Sequence, residues 1–114
     1  MYERGKKLKN LREVLQQITD SICEAEEGLP EFYRFLDAMK NNLDIFFYVG
    51  NIGDEEDTRN LVGVLERDWN AANGREAGVQ FYDYGKEHPE ADLGECVYFA
   101  GMLAYVANFF TVSM

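Results

Sequence analysis

The chain has 114 residues, and its 21 Asp and Glu against 11 Lys and Arg give a net charge of −10 and a pI near 4.4. That length suits one hydrophobic core, and a composition 46% hydrophobic and 14% aromatic supplies it amply, which argues against a disordered chain. The negative charge repels phosphate backbones and anionic head groups, so neither direct nucleic-acid binding nor attachment to an acidic membrane surface is expected.

The first residues, Met1 to Lys7, lack the apolar stretch and small-residue cleavage motif of a secretory signal, so a cytoplasmic protein is expected. Leu8, Leu11, Leu15, Ile18 and Ile22 recur at spacings of three and four and predict an amphipathic first helix that closes at Gly28. Pro30 suits the first turn of a second helix, with Phe32, Phe35, Leu36, Met39 and Leu43 on one face and a stop before Gly50. Asp57 or Thr58 is the expected cap of a third helix carrying Leu61, Val62, Leu65, Trp69 and Ala72 and stopping at Asn73 and Gly74. Trp69 is expected in the core.

Residues 75–87 allow two readings. Ala77, Phe81 and Tyr84 have helical spacing, whereas Val79, Phe81 and Asp83 alternate as a strand would, and the helical surroundings favour the helix. His88 and Pro89 interrupt the chain, and Asp92 or a residue just before it opens a last helix that has no charge from Cys96 to Met114. Its length approaches that of a membrane span. Asn108 in its middle, the lack of a basic flank, and the small residues Ala100, Gly101, Ala104 and Ala107 instead favour a helix buried on protein, with a homodimer contact as a further role. The expected fold is therefore all-α, a single domain spanning residues 1–114 in a compact bundle of four or five helices, with a short strand near 79–84 as the minor alternative.

Signatures of catalysis are sparse. His88 is the only imidazole and lies in a polar turn, where a solvated role is expected. Cys23 and Cys96 form no C-x-x-C pair and are expected as free buried thiols, and no zinc-type spacing occurs. The run Asp54 to Asp57 lacks the alternating oxygens and central glycine of a calcium loop. Gly50 and Gly53 are followed by four acids, which would repel a phosphate. A non-enzymatic protein without cofactor or metal is expected.

The informative feature is where the acids lie. Residues 1–23 carry five basic and three acidic groups, whereas residues 24–57 carry two basic and ten acidic. Glu24, Glu26, Glu27 and Glu31 precede the second helix, and Asp54, Glu55, Glu56 and Asp57 follow it. Between them, Tyr33, Asp44, Phe47 and Tyr48 belong to a helix with more aromatic groups than a single buried stripe absorbs. Rings for residence time and carboxylates for rapid encounter are the equipment of a binder of basic proteins. The expected function is to inhibit or neutralise a basic nucleic-acid-handling protein, as a nuclease immunity protein or a phage-type anti-CRISPR or anti-restriction DNA mimic. The alternative is a helical adaptor, chaperone or self-assembling structural protein that uses the apolar C-terminal helix.

Two partial resemblances bear on this. Asp44-Ile45-Phe46-Phe47-Tyr48, the acidic run after it, and Trp69-Asn70-Ala71-Ala72-Asn73-Gly74 resemble the DNase-bacteriocin immunity proteins. That family consists of small acidic four-helix inhibitors, and the resemblance implies nuclease binding through Phe47, Tyr48 and the acids before them. The likeness is confined to residues 44–75; no proline follows Tyr48, and the residues after Arg75 have no counterpart. Separately, Ala77, Phe81, Tyr84 and Pro89 resemble the second helix of one degenerate tetratricopeptide unit near 59–92, which implies a peptide-holding adaptor.

Overall fold

The computed structural model describes residues 2–23, 30–49, 54–74, 78–79 and 82–112. Five helices follow in order: α1 Tyr2–Cys23, α2 Tyr33–Val49, α3 Glu55–Ala72, α4 Tyr84–Glu87 and α5 Leu93–Val112. No strand occurs among the described residues, so the chain is an all-α bundle. The principal contacts run α3 to α2 to α1 to α5, with α4 against α5, which makes α3 and α5 the outer long helices.

The apolar stripes read from the sequence are the ones that fold inward. Leu8, Leu11, Leu15, Ile18 and Ile22 of α1 meet Phe32, Leu36, Met39 and Leu43, all at most 1% exposed. Leu61, Leu65, Trp69 and Ala72 of α3 complete the core on the other side of α2. Register between α1 and α2 is antiparallel: Arg12 Nε and Nη2 donate to the two carboxylate oxygens of Asp44 at 2.9 and 3.1 Å, and Lys40 Nζ donates to Gln16 Oε1 at 3.4 Å. Among the described residues two hydroxyl side chains are buried and both are satisfied, because Thr19 Oγ1 donates back to the Leu15 and Gln16 carbonyls and Thr58 Oγ1 to that of Asp54.

Helix ends follow cap chemistry, with one shift. The cap of α3 is Asp54, in place of the expected Asp57 or Thr58: its backbone is extended and its carboxylate accepts the Asp57 amide. Asp57 thus supplies a donor to the cap. Asn73 closes α3 as expected, and Asp92 accepts the Glu95 amide at the start of α5. Gly28 lies outside the described residues.

Two expectations are corrected. Among the described residues, the helix anticipated over 75–87 is present as the four residues of α4, and Gly78 has φ 74°, a left-handed conformation that interrupts a continuous helix through it. Helix α5 is not buried: only 28% of the span Leu93–Thr111 is inside, because α1 and α4 are the main elements packed on it. Its inner stripe is Phe99, Met102, Val106, Phe109 and Phe110, while Leu93, Val97, Tyr98 and Tyr105 are exposed. By length and composition α5 is long and apolar enough to cross a membrane.

Candidate functional site: the end shared by α2 and α3

Of the residues singled out in the sequence, Glu24, Glu26 and Glu27 lie outside the described residues. Glu31 is exposed at the far end of α2, with its carboxylate 3.8 Å from Arg34 Nε. The 17 residues of α2 separate it by about 25 Å from the acids at the other end. Asp54, Glu55, Glu56 and Asp57 are all exposed at the start of α3, where negative charge also suits the helix dipole. Only Asp54 spends its side chain on capping. Glu55, Glu56 and Asp57 have no side-chain partner among the described residues.

The aromatic residues divide. Tyr48 is 90% exposed at the last turn of α2, whereas Tyr33 and Phe47 are half-buried against the core. The cause is the position of α2: packed by α1 on one side and α3 on the other, it buries two faces and absorbs rings that a one-sided helix would leave in water. Asp44 is likewise drawn inward in role. Its ion pair with Arg12 is internal to the protein and fixes α1 on α2, and the Arg12 hydrogen bond holds its carboxyl below the ordinary carboxylate range.

Sequence reasoning missed Ile45, which is 60% exposed one helical turn before Tyr48. It lines a shallow groove of about 290 Å³ between α2 and α3, together with Asn42, Phe46, Asp57, Asn60, Leu61 and Val64. Phe46, Leu61 and Val64 therefore give the groove an apolar lining that reaches Asp57 in the acidic first turn of α3, with the exposed Ile45 on its edge. The signal for Ile45 was present in Asp44-Ile45-Phe46-Phe47-Tyr48, where five consecutive residues must point all round a helix, but the buried side depends on neighbours that sequence does not locate.

His88 departs from the solvated role expected of it. It is half-buried, its Nε2 is 3.2 Å from the Tyr82 hydroxyl, and its ring stacks on Tyr84 at 4.1 Å. Burial pushes the Tyr82 phenol up to about 12, so that hydroxyl remains protonated through neutral pH. Tyr84 and Tyr82 also pack on Phe99, which makes the cluster a brace for the start of α5. Cys96 is a half-buried free thiol, and the Cys23 side chain is outside the description. Among the described residues no group of three or more His, Cys, Asp or Glu side chains converges as a metal site would require.

The Arg12–Asp44 pair yields a pH prediction. Because Asp44 binds its proton less readily folded than unfolded, its contribution is full at neutral pH and is lost as pH falls through its depressed folded value. The pair is half-exposed, so it contributes about 0.2–1 kcal/mol. Asp44→Asn is expected to melt slightly lower than the natural protein at pH 7 and to converge with it as pH drops below the carboxylate range. Melting curves that differ equally at both pH values would show that the charge of Asp44 does not stabilise the fold.

No family model, curated protein or solved structure matches the chain.

Proposed function

We propose that this is a non-enzymatic binding protein that inhibits or neutralises a basic, nucleic-acid-handling protein, engaging it through the shared end of α2 and α3. The observation that carries the reading is an apolar groove lined by Ile45, 60% exposed, and Asp57, at the helix end that also carries Tyr48, 90% exposed, and the unpartnered Glu55 and Glu56. Large apolar groups held in water have a cost that only a partner removes. Carboxylates around them repel acidic proteins and steer cationic ones, raising encounter rates by roughly 10–1,000-fold at low salt. Nucleases and other nucleic-acid-binding assemblies are the cytoplasmic class that most consistently presents a basic groove, and the resemblance to DNase-bacteriocin immunity proteins, which implies binding through Phe47, Tyr48 and the acids before them, supports the same class. On this reading the protein occupies that groove as an immunity protein or as an anti-CRISPR or anti-restriction mimic of DNA charge. It needs no cofactor.

Affinity capture from host lysate tests this. The natural protein is expected to retain basic nucleic-acid-handling proteins at low salt and to release them at high salt. A variant combining Glu55→Lys, Glu56→Lys, Asp57→Lys and Tyr48→Ala is expected to lose them while melting within a few degrees of the natural protein, since these side chains are exposed and Asp54 is left to cap α3. Recovery of acidic or uncharged partners alone, or equal retention by the variant, would remove the proposal.

A further inference from the structure

The end of α3 remote from Glu55, Glu56 and Asp57 carries a different chemistry, independent of any binding at the acidic end. Eight asparagines occur in the chain, and Asn73 alone is followed by glycine. The others precede Leu, Asn, Ile, Ala or Phe, whose side chains crowd the next backbone nitrogen. Glycine has no Cβ to shield its amide and turns freely toward the side chain before it. We propose that Asn73 is a deamidation site gated by the last turn of α3, and that its acid product cannot close the helix as the amide does.

The reaction needs only water. The Gly74 backbone nitrogen gives up its proton and bonds to Asn73 Cγ, and the side-chain nitrogen leaves with that proton as ammonia. Water then opens the five-membered imide at either carbonyl. The result is aspartate or isoaspartate at 73, with one more negative charge and no change of oxidation state.

The fold holds the reacting atoms apart. Asn73 has φ −86° and ψ −1°. That ψ eclipses the Gly74 nitrogen with the Asn73 nitrogen, about 120° of rotation about the Cα–C bond away from Cβ. Three hydrogen bonds keep it there: Asn73 Nδ2 and its backbone N–H both donate to the Trp69 carbonyl, at 2.9 and 3.1 Å, and the Gly74 N–H donates to that of Ala71 at 3.0 Å. Beyond them, the Gly78 N–H donates to the Gly74 carbonyl at 2.9 Å. Attack requires the Nδ2 and Gly74 bonds to open together, which slows it by roughly tenfold or more relative to the unfolded chain. Helix ends open far more readily than a core, so the route runs through fraying of this turn without global unfolding.

The product fits the same turn badly. A carboxylate has no proton to give, so at 73 it sets oxygen against the Trp69 carbonyl oxygen and adds charge where the helix dipole is already negative. Isoaspartate also inserts a methylene into the main chain, so the amides of residues 73 and 74 cannot both keep their carbonyls. The same turn presents Trp69, whose ring is in the core, so conversion loosens the packing of α3 on α2 and cannot reverse spontaneously.

The full chain, held in warm, mildly alkaline buffer, is expected to gain about 1 Da, with peptide mapping placing aspartate and isoaspartate at 73. In guanidinium chloride at the same pH and temperature conversion should be roughly tenfold faster or more. Asn70 is exposed in the last turns of α3, so Asn70→Gly should speed native conversion several-fold and Asn70→Ala should slow it, with the rates in guanidinium chloride unchanged. Converted protein, separated by charge, should melt lower than the unconverted fraction, and Asn73→Asp should melt lower than the natural protein. Equal rates folded and unfolded, native rates indifferent to Asn70, earlier conversion at another asparagine, or converted protein that melts unchanged would each overturn the proposal. Failure here leaves the capture experiment at the α2–α3 end unaffected, and the reverse also holds.

Discussion

Replacing Trp69 by alanine is expected to destabilise the protein by about 3–5 kcal/mol, the usual result of deleting a large aromatic ring from a core. Trp69 is 8% exposed and belongs to the stripe of Leu61, Leu65 and Ala72 through which α3 packs on α2. Helix α3 is an outer member of the bundle, so few other elements are available to close the cavity. At roughly 4 °C per kcal/mol for a domain of this size, the melting temperature should fall by about 12 °C or more. Against a total stability of about 5–15 kcal/mol, that is a large fraction. An unchanged melting temperature would place the indole outside the core and return it to consideration as a recognition residue.

Phe32→Ala should be comparably damaging, by about 3–5 kcal/mol, for a different reason. Its ring is 1% exposed and meets Tyr82 edge-on, with centroids 5.1 Å apart and planes at 76°. Tyr82 in turn packs on Phe99 at 5.6 Å, so one aromatic chain ties the residue before α2 to α5 through the segment that carries α4. Little regular structure holds that segment otherwise. A double-mutant cycle of Phe32→Ala with Tyr82→Ala should return a coupling of about 0.5–1.5 kcal/mol beyond the loss of area. Strict additivity would show that the two rings are buried independently and that α4 is held by something else.

Much of this architecture was legible in the residues themselves. Leu8 through Ile22, and Leu61 through Ala72, repeat at helical spacing and are buried as that spacing dictates. Local cap chemistry was legible to within one turn: Asp92 and Asn73 act where expected, whereas Asp54 displaced Asp57 because adjacent acids are chemically equivalent and only the extended backbone at 54 decides between them. What sequence could not supply was the number of neighbours each helix has. Tyr33 and Phe47 lost their exposure because α2 is flanked on two sides, and α5 gained exposure because it is flanked mainly on one. The Arg12–Asp44 pair spans 32 positions, a separation at which periodicity is silent. The candidate site narrowed accordingly, from two acidic clusters bracketing a helix to one apolar groove with acids at one end.

The order α3, α2, α1, α5 also bears on how the molecule breathes. Of the four long helices, α5 is the most apolar, and in many proteins such a helix would be the last to give up its amide protons. Here it can swing outward by parting from α1 and α4 alone, whereas α1 and α2 each have to leave two long partners. Native-state hydrogen exchange should therefore find the backbone of α5 opening at lower free energy than that of α1 and α2. Affinity for water decides which side chains turn inward, but adjacency decides which helix lets go first.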